Sequence, residues 1–112
     1  MDEWRFVFTI EGAENPKEAV TFVCSGYLGR DDGLAEFRAQ ADAFVEQGRN
    51  LVLDFARVTN LDSKAIGALV QLKDKVKKLG QTCNLRSSSA RVTQLLRRVG
   101  LAAYLEVEEA GS

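Results

Sequence analysis

One segment, residues 51–70, restricts the possible folds of this chain more than any other. It opens with the uninterrupted apolar run 51–53, a pattern typical of a strand that is covered on both faces. From Ala65 onward the apolar positions recur every three or four residues, as they do along one side of a helix. The sequence therefore predicts a buried strand over 51–55, then a short loop, then a helix over 63–79.

The rest of the chain is predicted to alternate between strands and helices. Two period-two patterns are joined by a connection too short to contain a helix, so the first two strands should form an antiparallel hairpin. Two further helices are expected, each ending at a glycine that is a typical C′ residue. In chain order the predicted elements are strands over 4–10 and 19–25, a helix that ends at Gly48, strand 51–55, helix 63–79, strand 81–86, a helix capped by Ser88 or Ser89 that ends at Gly100, and a short last strand over 103–107.

This order, ββαβαβαβ, predicts an α/β fold. An opening hairpin followed by β-α-β crossovers gives a mixed β-sheet with helices packed on it. The chain has 112 residues, the usual size of one domain, and it contains no internal repeat or linker. We therefore expect residues 1–112 to form a single domain.

The composition argues against most catalytic chemistry. There is no histidine, so a Ser-His-Asp triad is excluded and the usual base near neutral pH is missing. Neither a Gly-x-Gly-x-x-Gly nor a P-loop motif is present. Cys24 and Cys83 are expected to be buried free thiols, and Asp31-Asp32 is typical of a turn rather than a metal site. We expect no enzyme, no metal and no cofactor.

Hydropathy and charge indicate where the chain acts. No apolar run approaches the ~20 residues needed to span a bilayer, and no signal peptide is visible, so we expect a cytoplasmic protein without membrane insertion. Residues 1–56 carry five basic and eleven acidic side chains, and residues 57–112 carry ten and five. We interpret the basic residues of the second half as cations in the last turns of helices, where the helix dipole stabilises them, and not as a surface that binds nucleic acid. The cations concerned are Lys73, Lys75, Lys77, Lys78, Arg91, Arg97 and Arg98.

Ser63 follows Asp62 at the predicted start of the second helix. A hydroxyl there is either a cap or a place that receives a phosphate, because the first N–H groups and the helix dipole favour an anion. Asp62 is itself able to cap, which would leave the Ser63 hydroxyl facing solvent. Gly67, one turn on, either packs closely on the sheet or leaves room for a partner. The exposed side of this helix is predicted to carry Ser63, Lys64, Gly67, Gln71, Asp74 and Lys78.

The same segment resembles a STAS domain of the anti-sigma factor antagonist type. The matching pattern is Leu-Val-Leu-Asp-Phe-x-x-Val-Thr-x-Leu-Asp-Ser-x-Ala-Ile-Gly-Ala-Leu-Val over residues 51–70, with Lys78-Leu-Gly80 and Ser89-x-x-Val92-x-x-Leu95-Leu beyond it. The resemblance covers residues 50–107 well and the first half mainly by strand order. It implies the STAS fold, and the Asp-Ser pair is its specific element.

The resemblance also implies a switch. In such antagonists the serine matching Ser63 is phosphorylated by the partner, an anti-sigma factor kinase with a histidine-kinase-like ATPase fold. The unphosphorylated form binds that kinase and releases a sigma factor, and a phosphatase removes the phosphate. The residues expected to contact the partner are Asn60, Asp62, Ser63, Lys64, Gly67, Gln71, Tyr27 and Arg30. The chain departs from the family pattern at Lys64, where a small residue is usual, at Ala65, where glycine is common, and at Gly29, where Asp is frequent.

Two other functions remain open on the sequence. Asp54 is expected to end a central strand, as the phosphorylated aspartate of a receiver domain does, although we favour a structural role in which its carboxylate accepts backbone N–H groups of the following loop. Alternatively, the chain is an unswitched STAS module of a transport or scaffold assembly. Ser63 would then be only a cap, and the same helix face would bind a transporter ATPase.

Overall fold

The computed structural model describes residues 5–29 and 32–109 and confirms the α/β fold. Its five strands follow chain order across one sheet. The first two strands are antiparallel, and every later neighbour is parallel. The elements are β1 (Val7–Glu11), β2 (Val20–Leu28), α1 (Asp32–Glu46), β3 (Leu51–Leu61), α2 (Ser63–Lys78), β4 (Cys83–Ser88), α3 (Ala90–Arg98) and β5 (Val107–Glu109).

The helices cover one face of the sheet. On that face Phe22, Leu53 and Leu85 are neighbours in register on β2, β3 and β4, and they share one core with buried residues of all three helices. Val52 points the other way and is only half-buried. The prediction that the apolar run 51–53 is covered on both faces is therefore wrong, because the face opposite the helices stays open.

Aromatic rings fix the first helix on the sheet. The ring of Phe37 on α1 meets that of Phe22 edge-on, with centroids 5.5 Å apart, and both side chains are buried. Burying one such side chain stabilises the fold by about 1.5–3 kcal/mol. Within the described residues no helix combines the length and the apolar character that crossing a membrane requires.

β3 is twice as long as predicted and runs to Leu61 without an intervening loop. Its pairing with β2 shifts register twice, after Val23 and after Gly26. Such bulges insert extra residues into one strand, and Ala56 and Arg57 are consecutively exposed there. The exposed pair interrupts the apolar pattern, which is why the sequence indicated an end at residue 55. As a result, only Asp62 separates β3 from α2.

The last strand also lies further along the chain than predicted. Residues 102–106 form turns instead of the expected strand over 103–107, and β5 begins at Val107. The buried ammonium of Lys73 on α2 donates to the Glu106 carboxylate and, at 2.9 Å, to the Cys83 carbonyl. Glu106 has a φ of 53°, so the chain turns sharply at that contact.

Both cysteines are buried free thiols, as predicted. Burial raises the pKa of the Cys83 thiol to about 12 and raises the pKa of Cys24 above its ordinary value as well. Since the thiolate is the reactive form, both groups are inert at neutral pH.

Candidate interaction site at the start of helix α2

The site is built where β2 and β3 end side by side. Tyr27 pairs in register with Asn60, and Leu28 pairs with Leu61. The Asp62 N–H then donates to the Leu28 carbonyl at 3.2 Å. Tyr27 and Asn60, two of the predicted contact residues, are therefore held beside the first turn of α2.

Asp62 is the N-cap of α2, which decides between the two capping residues that the sequence left open. Its φ and ψ of −101° and 179° are extended, and its Oδ1 accepts a hydrogen bond from the Ala65 N–H at 2.9 Å. Its carbonyl accepts from the Ile66 N–H at 3.0 Å, the first bond of the helix. The carboxylate therefore satisfies an N–H group that the helix itself leaves unpaired.

Ser63 is the first residue of the helix, and its side chain is exposed. Among the described residues, nothing hydrogen-bonds its hydroxyl, since the cap is supplied by Asp62. The oxygen can therefore be reached from solvent without any rearrangement of the helix.

Gly29 lies directly against the cap. It has a φ of 128°, and a Cβ at this position would overlap the Asp62 carboxylate. Any other residue would be strained in this conformation and would displace the cap. The residue that follows β2 therefore packs directly against the start of α2.

Gly67 is exposed, and a Cβ added there would meet no atom within 4 Å. The alternative in which this glycine packs closely on the sheet is therefore wrong. Glycine inside a helix is about 1 kcal/mol less favourable than alanine, and no packing of the described residues requires it here. What remains is a flat position on the outer side of α2, four residues after Ser63.

The exposed side of α2 continues from Gly67 to Gln71 and reaches helix α1 there. The Arg38 guanidinium donates from Nη1 to Gln71 Oε1 at 2.9 Å. The Nε of Arg38 also lies 3.1 and 3.2 Å from the two carboxylate oxygens of Asp42. Arg38 was not predicted as part of this surface, because its only local signal in the sequence is the i, i+4 spacing to Asp42.

Several of the cations considered for nucleic acid have partners within the fold. Lys75 pairs with Glu46 at 2.7 Å, and Lys77 lies over the Tyr104 ring at 4.6 Å from its centroid. The Tyr104 hydroxyl donates to the Asp74 carboxylate. In its second half, α2 therefore contacts helix α1 on one side and residues 102–106 on the other. Its first turns have no such neighbours among the described residues.

The other predicted contact residues are placed as follows. Asn60 is half-buried, and its side-chain oxygen accepts from the Leu61 N–H at 2.9 Å. Tyr27 is also half-buried, and Lys64 is exposed. Arg30 lies outside the described residues, as does Asp31 of the turn considered for a metal.

Asp54 does not occupy the position predicted for a receiver-like aspartate. It lies within β3 rather than at its end, on the open face of the sheet. Its Oδ1 accepts the Ala56 N–H at 3.1 Å, but Ala56 lies within β3, so the expectation that Asp54 binds N–H groups of a following loop is wrong. Arg86 lies 3.6 Å from its Oδ2. No group of three or more histidine, cysteine or carboxylate side chains able to hold a metal occurs in the part of the chain that the structure describes.

Comparisons with known proteins agree with this architecture. A family model described as STAS domain matches residues 34–110. The anti-sigma factor antagonist SpoIIAA in its unphosphorylated form has a similar structure, with a TM-score of 0.77 at 18% identity over 95% of this chain and 90% of that one. The Bacillus cell fate determinant SpoIIAA in the phosphorylated form gives a TM-score of 0.72 at 18% identity over 95% and 93%. The search of curated proteins found no match.

Proposed function

Because the chain belongs to the STAS domain family, we propose that it is an anti-sigma factor antagonist whose binding to a kinase partner is switched by phosphorylation of Ser63. The observation that carries the proposal is the division of roles at the start of α2. Asp62 caps the helix, so the exposed Ser63 hydroxyl is not needed for capping. In this proposal residues 1–112 form one STAS domain that acts in the cytoplasm.

The first turn of α2 is suited to carry a phosphate. A phosphoserine adds a charge of about −1.5 to −2 and three acceptor oxygens. At the first position of a helix these oxygens lie near N–H groups without intrahelical partners and near the positive end of the dipole. The domain therefore need not rearrange when Ser63 is modified. The relative SpoIIAA, solved in both phosphorylation states, has this fold in each.

The same phosphate would weaken docking of a protein partner on this surface. Burial at an interface removes water from the new charge, and the neighbouring Asp62 carboxylate adds repulsion. A penalty of about 3 kcal/mol reduces affinity more than a hundredfold, which is sufficient for a switch. Unphosphorylated protein would bind the kinase and release a sigma factor, and phosphorylated protein would not.

The chemistry of the switch is divided between the proteins. Phosphoryl transfer requires ATP, magnesium ions and a group that positions the serine hydroxyl. In this proposal the anti-sigma factor kinase supplies all three, and a phosphatase later hydrolyses the phosphoserine. This chain contributes only the acceptor hydroxyl and the docking surface around it.

Phosphorylation in an extract of the source organism tests the proposal. Purified protein is incubated with extract and Mg-ATP, re-isolated and weighed by intact-mass spectrometry, and the modified residue is sequenced. We expect one phosphoryl group on wild type and on Thr59→Ala, which removes an exposed hydroxyl of β3, and none on Ser63→Ala. Equal modification of Ser63→Ala would contradict the proposal. An unmodified wild type would favour an unswitched STAS module.

A further inference from the structure

Lys64 is placed where the helix does not favour it. It is the second residue of α2, and the first turn of this helix contains no acidic residue. A cation at this end meets the positive pole of the helix dipole, which disfavours it. Its side chain is exposed, so burial of its aliphatic stem does not explain the choice of residue either.

The other lysines of α2 are all accounted for by the fold. Lys73 is bound by Glu106, Lys75 by Glu46, and Lys77 lies over the Tyr104 ring. Lys78 is in the last turn, where the dipole favours a cation. Lys64 alone among them has neither a partner within the described residues nor a favourable position in the helix.

A second unfavourable residue lies on the same exposed side. Gly67 weakens the helix without any packing reason, and it lies three residues after Lys64 and four after Ser63. Residues that break a local rule without a structural gain mark functional surfaces. Two of them beside an exposed hydroxyl indicate a contact surface rather than a solvated helix face.

Charge determines the kind of partner that this surface fits. The Asp62 carboxylate accepts a hydrogen bond from the Ala65 N–H, and the Asp74 carboxylate accepts one from the Tyr104 hydroxyl. Gly29 contributes no side chain beside the cap. Within the first two turns of α2, residues 63–70, Lys64 is the one charged residue, and its exposed ammonium complements a carboxylate.

We infer that Lys64 is the specificity residue of this surface and binds an acidic patch on the kinase partner. This inference rests on the proposed function and names the chemistry of its partner. Phosphate on Ser63 would place negative charge next to the ammonium and cancel its attraction for that patch. Lys64 would thus both recruit the partner and make the switch sensitive to a single phosphate.

Affinity measurements on the kinase captured from the source organism with wild-type protein test the inference. Lys64→Gln should bind that kinase about tenfold more weakly, and Lys64→Glu about a hundredfold, because a charge pair at an interface is lost and then reversed. Lys78→Gln is the matched control, since it removes an exposed lysine from the other end of α2, and it should bind as wild type does. Lys64→Gln should remain at least as resistant to urea as wild type, so weaker binding would not reflect unfolding.

Carbodiimide cross-linking in the same extract locates the contact independently. This reagent joins a lysine amine to a carboxylate that touches it. We expect a bond from Lys64, and not from Lys78, to an aspartate or glutamate of the kinase, and we expect it to be absent with Ser63→Asp. A complex that forms with no Lys64 cross-link and with unchanged Lys64→Gln affinity would overturn the inference.

The two proposals fail in different ways. If Ser63→Asp loses the kinase but Lys64→Gln does not, the switch stands and the role of Lys64 is wrong. If no kinase is captured, or if Ser63→Asp binds it as tightly as wild type, the proposed function is wrong and the inference about Lys64 is overturned with it.

Discussion

At the scale of single residues, Asp62 caps α2 and the adjacent Ser63 does not. Asp62 accepts a hydrogen bond from the Ala65 N–H of α2, and it lies against Gly29, the residue that follows β2. Contacts with both segments therefore hold the Asp62 side chain in place. Ser63 is exposed and contributes no hydrogen bond within the described residues. A helix that depended on Ser63 for its cap would weaken when the hydroxyl was phosphorylated, whereas this one does not depend on it.

Alanine substitutions measure this division. Asp62→Ala should lower the free energy of unfolding by about 1 kcal/mol, the usual contribution of an N-cap. Ser63→Ala should change it by less than about 0.5 kcal/mol, as for other surface positions. Urea denaturation of the two variants provides both values. A loss with Ser63→Ala as large as that with Asp62→Ala would identify Ser63 as a structural residue.

Glycine substitutions test whether the face at Gly67 is open. Gly67→Ala should raise the free energy of unfolding by about 0.5–1 kcal/mol, because a helical glycine is replaced and its Cβ meets nothing. Gly80→Ala is the matched control, since its Cβ also meets nothing, but its φ is 72°. The control should be destabilised by about 1–2 kcal/mol through backbone strain alone. Destabilisation by Gly67→Ala would indicate close packing and contradict an open face.

At the scale of elements, the sequence predicts the order of strands and helices better than their ends. Helix α2 was predicted closely, because apolar spacing and an Asp-Ser start agree over its length. β3 was predicted too short, because the register shifts place Ala56 and Arg57 consecutively on the surface. A bulge depends on the pairing with β2, and one strand's sequence does not contain that pairing.

The last strand was displaced by contacts that are distant in sequence. Residues 103–107 have strand-like apolar content, yet Tyr104 and Glu106 are engaged by Asp74 and Lys73 of α2. The contact of Arg38 with Gln71 was missed for the same reason. Periodicity reports which side of an element is apolar, but it does not report which polar side chains of two elements meet.

The Lys73–Glu106 ion pair predicts a pH dependence for this segment. The hydrogen bond and charge of Lys73 hold the pKa of the Glu106 carboxyl below its ordinary value of 4.5. The pair therefore stabilises the fold above that pH, and its contribution is lost as pH falls through the lower folded-state pKa. Glu106→Gln should consequently be less stable than wild type at neutral pH, and the difference should shrink below about pH 4.5.

Denaturation curves of wild type and Glu106→Gln across pH 2–8 measure this difference. Glu108→Gln serves as the control, because Glu108 is exposed and forms no ion pair among the described residues. A gap between wild type and Glu106→Gln that stayed constant down to low pH would show that the ion pair does not hold residues 102–106 on α2.

At the scale of the whole molecule, the fold explains why the proposed switch would need no large structural change. One side of the sheet is covered by three helices that share a single core, and the open first turns of α2 follow the carboxyl end of the central strand β3. The fold class and the STAS resemblance were both predicted from the sequence and are confirmed. The phosphorylation of Ser63 remains a prediction, because it depends on a partner protein that a single chain does not contain.

The affinity of the captured kinase for two variants at one position tests the switch most directly. Isothermal titration should give similar dissociation constants for wild type and Ser63→Ala, because removing the exposed hydroxyl leaves the docking surface intact. Ser63→Asp and the phosphorylated protein should bind about a hundredfold more weakly, equivalent to ~2.7 kcal/mol. Equal affinities of Ser63→Ala and Ser63→Asp, with both proteins folded, would contradict a switch at Ser63.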